Sequence, residues 1–150
     1  SREWRCNAEL EWAQAAAPLN AGLSRLLGDL NRLYRDVPAL HECDHDAAGF
    51  RWIDCHDDAR SILSYVRYAC DGRHVVVVLN FTPVPRPGVT IGVPGAGEYE
   101  VRLNSDSRHY GGSNLGAVRV TASAVPAHDL AASILIDLPP LGGLVLEPAR

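Results

Sequence analysis

The chain has 150 residues, a hydrophobic fraction of 47% and a formal net charge of −4. That composition fits one cored domain, or one domain plus a piece of another, and excludes a disordered chain. The absence of a lysine/arginine block excludes a basic nucleic-acid footprint, and the longest apolar run, 75–79, is too short for a membrane-spanning helix.

The N-terminal residues, "SREWRCNAELEW" (1–12), carry two of the three tryptophans and no clear period, so they read as a loop. They do not resemble a signal peptide. From Pro18, leucines at 19, 23, 26, 27, 30 and 33, followed by Tyr34, recur at three- and four-residue steps. That spacing predicts an amphipathic helix ending before Pro38, because the residue preceding a proline is pushed out of helical geometry. So broad a leucine face calls for a partner larger than the flanking loops.

Beyond Leu40 the pattern changes to short strands, predicted at 50–53, 61–68, 74–81, 89–93, 99–103, 118–120, 133–138 and 144–147. "CDGR" (70–73) suits a hairpin turn, since Asp-Gly tolerates positive φ. The valines at 75–78 cannot alternate, which predicts a central strand covered on both faces. Short strands separated by Gly/Pro turns, without intervening helices, predict a mainly β chain built as an antiparallel β-sandwich.

Four cysteines, Cys6, Cys43, Cys55 and Cys70, are dispersed without a CxxC pair, and reduced thiols are expected. The chain contains no methionine at all, which suggests a piece of a longer protein.

Several clusters invite a chemical reading. "HECDHDAAGFRWIDCHDD" (41–58) holds His41, Glu42, Cys43, Asp44, His45, Asp46, Cys55, His56 and Asp58. Thiolate and imidazole suit zinc, but neighbouring side chains on an extended chain diverge and no zinc-finger spacing is present. A structural or solvated role is therefore the expected one, with no metal. "NSDSRHYGGSN" (104–114) offers Ser105, Asp106 and His109, the residue types of a hydrolase triad. Triads are assembled from distant segments, and Asn, Asp, Ser and Gly are equally the residues that turns require. Trp4, Trp12 and Trp52 pack a core or interface, or present flat platforms to a sugar ring.

The motifs "REW…LEW" (2–12), "LNRLYRDVPALHECDHDAAGFRWID" (30–54), "SYVRY" (64–68), "VVLNFTPVPR" (77–86), "LNSDSRHYGGSN" (103–114) and "LPPLGGLVLEP" (138–148) follow one another in an order that resembles bacterial 1,4-α-glucan (glycogen) branching enzymes of the α-amylase superfamily. The likeness covers essentially the whole chain and only the C-terminal portion of such an enzyme. It implies that residues 1–37 are the last loop and final helix of a (β/α)₈ catalytic barrel, and that 38–150 form the C-terminal all-β sandwich domain. The implied reaction is transglycosylation: a carboxylate nucleophile cleaves an α-1,4 bond, and a glucan 6-hydroxyl takes the segment to make an α-1,6 branch. In the family the catalytic carboxylates lie in the barrel, so no catalytic residue is expected in this chain and the chain alone should be inactive.

The resemblance further implies an α-glucan substrate, no cofactor, a cytoplasmic location, and the barrel as covalent partner, with neither nucleic acid nor membrane. It marks Trp4 and Trp52 as candidate glucan-stacking residues and leaves Trp12 as a packing residue. Arg5, Cys6 and Asn7 stand where the family commonly has Asn-His-Asp, and Cys43 stands where it commonly has leucine, favouring a small buried thiol there. A free-standing carbohydrate-binding β-sandwich module is the alternative reading.

Overall fold

A computed structural model describes Asn7, Glu9 and residues 11–149. After a short 3₁₀ turn (Trp12–Ala16), α1 (Pro18–Asp36) begins with its proline in the first turn, where the missing N–H costs nothing. It closes when the Val37 N–H donates to the Leu33 carbonyl at 3.0 Å, just before Pro38. Eight strands follow: β1 (Phe50–Asp57), β2 (Ile62–Tyr68), β3 (His74–Asn80), β4 (Arg86–Val93), β5 (Gly97–Asn104), β6 (Arg119–Ala122), β7 (Ala132–Leu138) and β8 (Gly143–Pro148).

All pairings between these strands are antiparallel. A six-stranded sheet of order β1-β2-β3-β8-β5-β6 faces a two-stranded sheet of β4 and β7. The alternation along β7 shows why: Ala132, Ile134, Ile136 and Leu138 are buried, while Leu135 and Asp137 point out. The opposing face supplies Ile62, Val66, Val76, Val78, Tyr99, Leu144 and Leu146, and together these make the main core. The mainly β fold, an antiparallel sandwich with one α-helix among the described residues, is the one expected from the strand spacing.

The valine run behaves as its composition predicts. Val76 and Val78 enter the main core, whereas Val75 and Val77 join Leu33, Val37, Leu103 and Val145 in a second cluster beneath α1. The β2–β3 hairpin turns at Asp71-Gly72, with Gly72 at φ +85°. β1 differs from expectation, running through Asp57 rather than stopping at residue 53. Its register shifts between Trp52 and Asp54 and again before Asp57, so bulges break the alternation that would have revealed the strand.

The expectation of isolated thiols does not hold for two of the cysteines. Sequence spacing gives no hint that Cys43 and Cys70 meet, yet their sulfurs are in contact, with Cα atoms 6.5 Å apart. Cys43 is half-buried rather than buried. Cys55 is free, and Cys6 lies outside the described residues.

Candidate functional site

Ser105 and Asp106 of the 104–114 stretch are taken up mainly by backbone N–H groups, and the His109 ring faces Asp29 and Tyr110. Ser105 Oγ accepts the Gly143 N–H at 2.8 Å. The Asp106 carboxylate accepts the Ser113 N–H at 2.9 Å, the Ser113 hydroxyl at 2.6 Å and the Leu115 N–H at 3.1 Å. Burial pushes this carboxyl upward, but those donors outweigh it and hold it below the ordinary carboxylate range. Asn104 completes the loop by accepting from the Asp106 N–H and donating to the Leu115 carbonyl. Ser105, Asp106 and His109 each face a different partner, so no line of nucleophile, base and orienter forms.

The loop instead seats the helix. Arg25 Nε donates to the His109 carbonyl at 2.8 Å, and the Tyr110 hydroxyl donates to Asp29 at 2.9 Å. Burial, then that hydrogen bond, pushes the Tyr110 phenol up to about 12. Gly22 presses against the Tyr110 carbonyl so closely that a Cβ there would overlap the oxygen. Gly22, Arg25 and Asp29 share one stripe of α1 by helical spacing, with the inward-packed Leu26 and Leu33 beside them, while Leu19, Leu23, Leu27 and Leu30 turn to the exposed side.

The 41–58 cluster disperses. Asp44 pairs with Arg67 and accepts from the Tyr34 hydroxyl, which ties the loop after α1 to both helix and sheet. Glu42 accepts the Cys70 N–H at 3.1 Å. Asp54 accepts the His56 N–H, and Asp57 pairs with Arg60. Among the described residues no three His, Cys, Asp or Glu side chains converge as metal ligands.

Of the two tryptophans marked by resemblance, Trp4 lies outside the described residues. Trp52 is 48% exposed on edge strand β1. Its indole meets the Phe50 ring edge-on at 4.9 Å and the Tyr65 ring at 5.9 Å, with Phe50 and Tyr65 5.4 Å apart. Trp12, expected to pack, is 74% exposed among the described residues. Sequence reading missed Phe50 and Tyr65 as companions of Trp52. The signal was present: Phe50 and Trp52 stand two apart on a strand and therefore share a face. Tyr65 also lines an adjoining groove of about 580 Å³, walled by Leu30, Tyr34, Leu40, Phe81 and Leu141. The surface is thus an aromatic shelf continuous with an apolar groove along the helix. Chemically it suits stacking and burial; it holds no converging acid–base pair.

Residues 52–149 match the family model for the alpha amylase C-terminal all-beta domain. The chain belongs to that family. It is 52% identical over 146 residues to a 1,4-alpha-glucan branching enzyme GlgB from Dechloromonas aromatica (strain RCB), a match spanning 97% of this chain and 24% of that protein. It is 53% identical over 148 residues to the protein of the same name from Thiobacillus denitrificans, across 97% of this chain and 20% of the relative. This C-terminal-domain chain therefore spans only a fifth to a quarter of the length of these relatives. Among solved structures, an alpha-amylase from H. orenii aligns over 82% of this chain and 20% of its own, with 18% identity and a TM-score of 0.46. The trehalulose synthase MutB from Pseudomonas mesoacidophila MX-45 aligns over 83% of this chain and 19% of its own, with 22% identity and a TM-score of 0.46.

Proposed function

We propose that this chain is the C-terminal part of a glycogen branching enzyme, which cleaves α-1,4-glucan and transfers the freed segment to a 6-hydroxyl. The observation that carries the reading is the 52% identity to a named branching enzyme across nearly the whole chain. In this reading residues 1–37 close a (β/α)₈ barrel and 38–150 form the accessory sandwich. Leu19, Leu23 and Leu27, exposed on α1 at 75%, 57% and 53%, are the face that the barrel covers. The catalytic carboxylates belong to the barrel, and the cell compartment is the cytoplasm, where glycogen is made.

The chain's own contribution is to brace the barrel through α1 and to guide glucan across the Phe50–Trp52–Tyr65 shelf. Half of the Trp52 surface is open, enough for the apolar face of a glucose ring, while Phe50 and Tyr65 fix the indole's orientation. Trp4 is the second stacking residue. The test is to incubate the isolated chain with amylose and measure branch points after debranching. No branching is expected from the chain alone, and any α-1,6 product would overturn the assignment of the catalytic groups to a missing barrel. Gel retardation by glycogen distinguishes the rival reading: strong retention of the isolated chain would favour a free-standing carbohydrate-binding module.

A further inference from the structure

Cys43 and Cys70 come from separate turns, one following α1 and the other joining β2 to β3. They are 27 residues apart in sequence, their sulfurs touch, and their Cα separation of 6.5 Å lies within the span of a disulfide. Cys70 is exposed and Cys43 half-buried, so small thiol reagents reach the pair. The turns that carry them are already fastened to their surroundings. Glu42, next to Cys43, accepts the Cys70 N–H, and Asp44 on the other side holds Tyr34 of α1 and Arg67 of β2.

We propose that Cys43 and Cys70 form a reversible redox cross-link that fastens the α1 exit loop to the β2–β3 hairpin. The oxidant is a low-molecular-weight disulfide of the glutathione type. The exposed Cys70 thiolate attacks one sulfur of that disulfide, breaking its S–S bond and releasing one small thiol. The Cys43 thiolate then attacks the Cys70 sulfur of the mixed disulfide and expels the second small thiol. The protein loses two electrons and two protons, the small disulfide gains them, and excess small thiol reverses both steps. The bond closes the loop that contains all of β1 and β2, so the oxidised chain loses unfolded-state freedom that the reduced chain keeps. It also stiffens the segment by which α1 is joined to the sandwich.

The experiment equilibrates unmodified protein with oxidised or reduced glutathione, blocks free thiols with iodoacetamide, and maps peptides by mass spectrometry alongside thermal melts. Oxidation is expected to yield a linked peptide containing Cys43 and Cys70 while Cys55 is alkylated. Reduction is expected to lower Tm by roughly 5–15 °C, from the loop-closure entropy. Cys43→Ser and Cys70→Ser should each abolish that difference, and Cys55→Ser should retain it. Alkylation of both cysteines after oxidising treatment would overturn the proposal. So would glutathione left on Cys70 without a linked peptide, or a reduction-dependent Tm shift that survives Cys70→Ser.

Discussion

Asn80 shows how much a single amide holds together. It is 2% exposed at the end of β3, donates to the Val84 and Pro139 carbonyls at 2.9 Å each, and accepts from the Thr82 N–H at 3.0 Å and the Thr82 hydroxyl at 2.8 Å. All of its hydrogen-bonding capacity is used. Asn80→Ala strands these partners, and because an orphaned buried polar group costs about 1–3 kcal/mol, urea unfolding should report a loss of about 2–4 kcal/mol. Asp106 makes a pH prediction. Its carboxyl is held below the ordinary range, so its contribution is fully present above the unfolded value of about 3.9 and disappears as pH falls through the folded value. Asp106→Ala should therefore lower stability at pH 7, by about 1–2 kcal/mol given its partial exposure, and the gap to wild type should narrow in melts toward pH 3. These roles were partly legible in the sequence. That Asn104, Ser105 and Asp106 serve a turn follows from residue type. That Asn80 ties two distant segments does not, because its partner at Pro139 is fixed only by the tertiary fold.

At the scale of elements, two glycines of α1 give opposite expectations from the same helix. Nothing lies within 4 Å of a Cβ built on Gly28, whereas one on Gly22 would overlap the Tyr110 carbonyl. Alanine favours a helix interior over glycine by about 1 kcal/mol. Gly28→Ala should thus raise stability by up to about 1 kcal/mol. Gly22→Ala should lower it, because the backbone carbonyl opposite cannot move without breaking the Arg25 and Tyr110 contacts. A chemical denaturation series on the two variants decides the matter, and equal effects would refute the close seat. The helix and the strands were readable because their apolar periods are strong. The second half of β1 was not, since its bulges and polar residues erase the period. The Cys43–Cys70 pairing was equally hidden, because contact between two turns leaves no mark on local pattern.

For the molecule as a whole, the arrangement separates two surfaces of the six-stranded sheet. The inner face is sealed by β4 and β7, and the outer face carries α1, the groove and the aromatic shelf. Trp52 belongs to the outer face, so truncating it removes exposed aromatic surface without opening the main core. In a full-length enzyme, Trp52→Ala should raise the KM for long glucans about 5- to 30-fold, the equivalent of roughly 1–2 kcal/mol for a lost aromatic contact, with kcat nearly unchanged. Its Tm should fall by less than about 3 °C. A drop in Tm with unaltered glucan affinity would show that the shelf only packs. The tryptophan was legible as a candidate; its setting beside Tyr65 depends on strand pairing and became visible only in the fold.

The doubly covered strand has one more consequence, which concerns alignment. Pairing register is ordinarily fixed by alternation, because a slip of one residue carries every apolar side chain to the wrong face. Val75 to Val78 give no such protection, since a shifted β3 would exchange one valine for another on both faces. Asn80 supplies what the valines lack, because a one-step displacement would carry its amide away from Thr82, Val84 and Pro139 together. The strand whose side chains say least about where it should stop is held in place by the polar residue at its end.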